Sequence, residues 1–498
     1  MKKIIAPLLV GAALSSAFAA DDSLKQEVEA LKAQMAELKN AQSKINIDAL
    51  KAQMNEIKAH DSGDNIKWTV DFRTSYDQLE YKLNGLPRES NGIWTNKLVL
   101  GMAAQPTDNL IFKGALGAYK MFGYNGATAY NPFQNMDWYS SETPDDSIIR
   151  LKEAYFLYLG NMGDIPYSAS FGRRPSVDGF LTNLRNDNEM PASPIGHNIN
   201  MEFDGASFKF DLDKVTGISG MYFKICLGRG NTNADSKYAA FDNFTGTIPF
   251  SAFGRLSYAE SSLNAPNMDL AGAIFQLYDN GQYKVMANYF KGWNMMGANL
   301  SNFTMSTVDV NLVDVGDLTG GALSLQVNGI GDGISDFLDD SIFFLSYAFS
   351  KTDPKGSHTY LNPTTGAPTV GAEMLGSSDK ETGSSVYTGV QVPGIMKGQR
   401  LGLEYNHGSK YWRSFTYGED SLVGSKLAAR GDAYEVYYIL PIVGKNLTAQ
   451  LSYVYIDYDY TGSDMFFDGS TGAPKDVDTT AGAVKSASNI KASLRYRY

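Results

Sequence analysis

Hydrophobic and polar residues recur in two different rhythms along this chain, and the rhythm changes near residue 60. Upstream, Leu24, Val28, Leu31, Met35 and Leu38 are spaced 4, 3, 4 and 3, the seam of a coiled coil. Ile47, Leu50, Met54 and Ile57 continue at 3, 4 and 3. The stretch LKAQMAELK at 31–39 nearly recurs as LKAQMNEIK at 50–58, an offset of 19 that does not divide by seven. The register is therefore expected to break near 43–48. Asp21, Asp22 and Ser23 stand at the front of the run, where they cap a helix and suit its positive end. The spacing predicts a short helical rod over 21–60, either self-associating as a coiled coil or packed alone on the rest of the chain.

Beyond a polar linker at 61–65 the period becomes two. Trp68, Val70, Phe72 and Tyr76 share one face of the next segment, and Lys67, Asp71 and Arg73 share the other. At the far end Ile490, Ala492, Leu494, Tyr496 and Tyr498 alternate with Lys491, Ser493, Arg495 and Arg497. Such alternation builds strands with one apolar and one polar face, in a soluble sandwich or in a membrane barrel. Further strand-like segments run near 92–104, 109–120, 149–159, 166–173, 204–211, 218–228, 250–259, 268–278, 282–292, 320–328, 340–350, 384–392, 399–411, 431–440 and 446–458, for 17 in all. A single-chain bacterial barrel has an even number, with both chain ends and the short turns on one side and the long loops on the other. Counting turns and loops inward from the two ends, the counts collide between 228 and 268, and 237–244 is assigned as a missing strand.

The expected fold class is therefore all-β: a transmembrane antiparallel barrel of about 18 strands over 66–498, with 16 as the alternative, behind the helical rod. Roughly 438 residues follow the rod, about 24 per strand for 18 strands, which suits ten-residue strands with their share of loop. Barrels of 16 to 18 strands leave an aqueous channel, so permeation is the function class this architecture favours.

Composition agrees with strands facing two media. Charged residues are 19% of the chain, below the roughly 25% of an average soluble domain, while aromatics reach 12% and glycines number 49. The run of about 20 apolar residues that a membrane helix needs does not recur along the chain, which excludes a polytopic helical protein but not a barrel. Residues 1–20 carry Lys2 and Lys3, an apolar stretch at 4–14 and Ala17-Phe18-Ala19, the layout of a secretory signal peptide. Its removal takes two lysines, moving the formal charge from −11 to −13, which argues against nucleic acid as a partner. Cys226 is the single cysteine, so no intrachain disulfide forms.

A terminal strand closing on an aromatic, Tyr496-Arg497-Tyr498, resembles the last strand of bacterial outer-membrane barrels, which the insertion machinery reads. Together with Phe171-Gly172-Arg173-Arg174-Pro175-Ser176 ahead of a long polar loop, the signal peptide and the rod, the chain resembles an uncharacterised porin-like outer-membrane family. Its layout is also similar to sugar porins with a periplasmic coiled coil. The resemblance implies a Gram-negative outer-membrane porin, commonly a homotrimer, its barrel in outer-membrane lipid and its rod in the periplasm. The seam Leu24, Val28, Leu31, Met35 and Leu38 would then drive oligomerisation or reach the cell wall.

In porin-like proteins a third loop often folds into the channel and narrows it with charged rings. Applied here by resemblance, Arg173, Arg174 and Arg185 would face Asp187 and Glu189 across a constriction. Lys67, Asp71, Arg73, Lys491, Arg495 and Arg497 fall on the lumen face by alternation, with Asp71 beside Arg495 or Arg497 where the first and last strands close the barrel. Catalysis is not expected: His60, His197, His358 and His407 show no H-x-x-x-H spacing, and no G-x-S-x-G elbow occurs. No cofactor is implied. Asp332, Asp336, Asp339 and Asp340 lack the 1, 3, 5 spacing of a calcium loop. A structural or adhesive barrel linking envelope layers through its rod is the competing reading.

Overall fold

A computed structural model describes residues 66–122, 148–174, 178–188, 190–232, 266–299, 311–331, 333–355, 358–361, 368–371, 375–416, 419–463 and 473–498. The signal peptide at 1–20, the rod at 21–60 with its seam residues Leu24, Val28, Leu31, Met35 and Leu38, and the linker at 61–65 lie outside the described residues.

The barrel begins with β1 (Lys67–Leu83), β2 (Glu89–Thr107), β3 (Leu110–Met121), β4 (Arg150–Met162) and β5 (Ile165–Arg174). It continues through β6 (Phe203–Asp211), β7 (Tyr222–Asn231), β8 (Met268–Asp279), β9 (Tyr283–Asn299), β10 (Asn311–Asn328) and β11 (Ile342–Pro354). It ends with β12 (Thr382–Pro393), β13 (Arg400–Gly408), β14 (Gly431–Val443), β15 (Leu447–Tyr458) and β16 (Val484–Arg497). Each strand pairs antiparallel with its neighbours, and β1 closes on β16 from Asp71↔Arg497 to Leu83↔Val484. The Val70 and Tyr498 main chains exchange hydrogen bonds of 2.8 and 2.9 Å at that seam, so both ends of the barrel chain lie on one rim.

Sixteen strands close the barrel, which corrects the count of 18 to its alternative. β7 and β8 pair directly, from Gln276↔Tyr222 to Met268↔Asn231, which leaves no place in the sheet for a strand between them. Parity can be restored by adding a strand or by removing one, and hydrogen bonding selects removal. The segments 237–244 and 250–259 lie outside the described residues.

Alternation sorts the side chains. Trp68, Phe72, Phe156, Phe171, Leu323, Leu345, Leu403, Val436, Leu451, Ile490 and Leu494 stand exposed around the outside. Ser75, Ser207, Ser324, Ser346, Ser385, Asn406 and Asn489 are buried on the inside. An apolar jacket around a polar lining inverts a soluble protein and matches a lipid-facing wall.

Two loops from the rim opposite the chain ends fold into this lining. The loop at 175–202, between β5 and β6, buries Phe180, Leu181 and Ile195 against Ile274, Met286, Ala322 and Phe344 of the wall. The loop at 409–430, between β13 and β14, adds Trp412 and Leu427 to the same cluster. Asp178, Leu181 and Asp187 of the first loop have positive φ of 52°, 82° and 52°, a region that non-glycine residues occupy only when their surroundings hold them there. One half of the lumen is thus packed with apolar side chains, and the polar chemistry gathers in the other half.

Candidate functional site

The polar half is lined by β14 to β16, β1 and β2 on the wall and by the two inward loops across from it. β1 and β16 deliver cations by simple alternation, Arg73 from one strand and Lys491, Arg495 and Arg497 from the other. The loop at 409–430 answers with Asp420. Arg73 Nη2 donates to Asp420 Oδ1 at 3.0 Å, and Tyr119 Oη donates to the same oxygen at 3.0 Å. Lys97 lies 3.6 Å and Lys491 3.7 Å from this carboxylate. Burial alone would raise the Asp420 carboxyl, but Arg73, Lys97 and Lys491 outweigh it and hold it well below the usual carboxylate range.

A second knot ties the loops to the wall. Arg185 reaches Glu404 Oε2 and Tyr387 Oη, both at 3.2 Å, and pairs with Glu419. Tyr387 Oη donates to Glu404 Oε2 at 2.7 Å, and Lys426 bridges Glu404 and Glu435. Burial opposes the Arg185 charge, but Glu419, Tyr387 and Glu404 more than offset it, so the guanidinium stays protonated. A neutral anchor sits beside this knot. His197 Nε2 and Nδ1 lie 2.9 Å from Ser385 Oγ and 2.8 Å from Ser346 Oγ. Ser385 donates to Asn406 Oδ1 at 2.9 Å, so it accepts from His197, which assigns the imidazole proton to Nε2. Burial pushes the His197 pKa down to about 3, against a smaller opposing effect of Asn406.

The residues expected to oppose one another do not form a single ring. Arg185 faces Glu404 and Glu419, whereas Asp187 is taken by Arg497, whose Nη1 also donates to the Asp187 carbonyl at 2.6 Å. Arg173 binds Glu202 Oε2 at 3.3 Å and the Lys152 carbonyl at 3.1 Å, with Lys152 Nζ on Glu202 Oε1 at 2.6 Å. Arg174 stacks over Tyr155, 5.0 Å from the ring centre, and Glu189 lies outside the described residues. Two local features separate these charges: Arg173 and Arg174 are neighbours at the end of β5, just past the positive φ of Gly172, and the loop beyond turns at Leu181 and Asp187 on either side of Arg185. At the closure seam Asp71 stands opposite Arg497 in register, while its carboxylate accepts from Arg495 Nε at 2.8 Å. Lys67 is half-buried at the start of β1, paired with Ala103.

Glu419, Asp420 and Lys426 were not singled out from sequence. A signal was present: a solvated loop has little use for the apolar run Leu422, Val423, Leu427, Ala428 and Ala429 or for Trp412, all of which are at least half-buried here. Between the knots lie two polar cavities of about 60 and 90 Å³ that share Arg73, Arg185, Asn186, Asp420 and Arg495. A water needs about 10–15 Å³ of such space, so each has room for several waters. Among the described residues, no three His, Cys, Asp or Glu side chains gather to hold a metal. Asp339 accepts the Gly333 N–H at 3.1 Å and closes its own turn, and Asp332 lies outside the described residues. His407 meets Asp432 at 2.9 Å on the exposed outer rim, away from the lumen.

The pattern of a protein family described as Protein of unknown function (DUF3373) matches residues 88–498. No curated protein sequence matches the chain. Among solved structures, the high-pH form of OprB from Pseudomonas putida is similar at 12% identity, covering 87% of this chain and 94% of that one with a TM-score of 0.45. Vibrio cholerae OmpT, folded in vitro and in trimer form, is similar at 13% identity, with coverage of 87% and 100% and a TM-score of 0.40. Salmonella typhi OmpF in complex with daunomycin is similar at 11% identity, with coverage of 88% and 99% and a TM-score of 0.43.

Proposed function

We propose that this chain, which belongs to the DUF3373 family, is an outer-membrane channel for the passive diffusion of small hydrophilic solutes or ions. One observation carries the reading: polar cavities with room for several waters lie beside the Arg73–Asp420 pair inside a closed barrel whose outside is apolar. Lipid accepts such a wall because every strand is paired and no edge is left open. The interior holds a basic wall, from Arg73, Lys97 and Lys491, against an acidic loop residue, Asp420. A solute passing beside this cluster meets the field of its opposite charges, which orders dipoles and discriminates ions. The chemistry needs no bond made or broken, and this reading assigns no catalytic role.

Asp420 is the residue to change. Asp420→Asn removes the carboxylate that Arg73, Lys97 and Lys491 share, so the reversal potential in a salt gradient is expected to move toward anions. An unmoved potential in a folded variant would count against this route.

The second reading, a structural or adhesive barrel, draws on the buried knot of Arg185, Glu404, Glu419 and Lys426, which closes part of the lumen. The rod belongs to either reading. Its seam, Leu24 to Leu38, supports a homotrimer held in the periplasm, in contact with the cell wall or not. Crosslinking full-length protein beside a version lacking 21–60 is expected to give trimers that weaken when the rod is removed.

A further inference from the structure

Many cations inside the barrel are paired with a carboxylate. Arg73 has Asp420, Arg185 has Glu419, Lys152 and Arg173 share Glu202, Lys426 bridges Glu404 and Glu435, and Arg495 has Asp71. Arg174 and Lys224 form no salt bridge or hydrogen bond among the described residues: Arg174 lies over the Tyr155 ring with Glu153 as the carboxylate in its field and its Nη1 buried without an acceptor, and Lys224 is half-buried. A cation partly withdrawn from water without a salt bridge is under-solvated and favours an anionic partner. Both line the same cavity, between the returning end of the loop at 175–202 and the inner faces of β6 to β9. The rest of that cavity is mostly apolar, built by Met201, Phe203, Leu270, Ile274, Phe290 and Phe415, and its free space of about 50 Å³, close to that of the two polar cavities, widens at an open mouth. A concave, mostly apolar cleft with a few polar groups is the usual form of a small-molecule site. Gly228 makes room for it to form, since a Cβ there would lie 2.1 Å from the Phe203 ring.

We propose that this cavity binds a small anion with an apolar body, such as an aromatic or short-chain monocarboxylate. The carboxylate would sit between Arg174 and Lys224 and give both cations a direct ion pair, with charge-assisted hydrogen bonds to each. The hydrocarbon would lie against Phe290, Phe415 and the methionine. Inorganic anions gain nothing from that wall, and neutral aromatics gain nothing from the cations, so both halves of the ligand are specified. The site goes beyond the channel reading, because binding is measured without current.

The chain carries its own reporter. Cys226, the single cysteine, lines this cavity on the inward face of β7, between the outward Ile225 and Leu227. In full-length folded protein, an anionic methanethiosulfonate is expected to modify Cys226 faster than its cationic counterpart. Benzoate and hexanoate should slow the reaction saturably, and benzyl alcohol should not. Lys224→Gln and Arg174→Gln should each weaken benzoate protection about tenfold, the loss of one charge-assisted contact. Arg229→Gln, which alters an exposed outer pair with Asp269, should leave it unchanged. Equilibrium dialysis of labelled benzoate serves as the second measurement, expected to show saturable binding that Lys224→Gln weakens. Equal reagent rates without benzoate protection, or dialysis without saturable binding to folded wild type, would overturn the proposal. A barrel that binds benzoate but passes no current would remove the channel and leave the site standing.

Discussion

His197 shows how a single side chain couples the inward loop to the wall. Neutral, it links Ser346 and Ser385 of β11 and β12; protonated, it would bring a charge into a fully buried place. Its folded pKa of about 3 lies below the ordinary 6.5, so the unfolded chain binds the extra proton first. The stabilising contribution is whole above pH 6.5 and is lost as the pH falls toward 3, at up to about 1.4 kcal/mol per pH unit. Urea unfolding midpoints of wild type should therefore fall more steeply between pH 6 and 4 than those of His197→Gln; parallel slopes would deny the coupling. Sequence alone could name this histidine but not its role, because Ser346 and Ser385 stand 149 and 188 residues away. The same holds for Arg185, whose partners Glu404 and Glu419 come from residues 219 and 234 positions later. Charge in a loop is visible in a sequence; the choice of partner depends on where the loop lands.

At the scale of elements, period-two alternation made the strands legible, because one side chain in two must meet lipid. It placed Trp68, Phe72, Ile490 and Leu494 outside and Arg73 and Lys491 on the opposite face without any coordinates. It failed only between 228 and 268, where a long loop carries strand-like composition and parity alone could not choose between one strand more and one fewer. The inward loops were legible in part. The resemblance points to an inward third loop carrying Arg185 and Asp187, whereas for the loop at 409–430 the signal is its apolar run, which argues for burial. How the wall receives them depends on glycine. Tyr437 lies over Gly402 on the neighbouring strand, where a Cβ would come within 2.0 Å of its ring. Its hydroxyl accepts from Gln391 Nε2 at 3.1 Å, and the same nitrogen donates to the Leu184 carbonyl of the inward loop at 3.2 Å. Gly402→Ala should displace the ring and loosen that link, at a cost of about 1–3 kcal/mol. Thermal unfolding of the variant checks it, and an unchanged midpoint would show that the ring has room to move.

Across the whole molecule, the high aromatic content and low charge follow from one arrangement: an apolar outside, a polar inside and loops that divide the lumen into a packed half and a charged half. The formal charge of −11 averages over this division and so conceals the basic wall of β1, β2 and β16. Whether the charged half conducts is the central question, and unitary current through the refolded full-length protein in a planar bilayer addresses it most directly. Heat-modifiable migration on gels would first establish that the barrel is folded. Steady, ohmic steps of uniform size, with ion selectivity that changes in Asp420→Asn, are the expected record. A flat baseline from demonstrably folded and inserted barrels would contradict the channel and leave a plugged, structural barrel in its place.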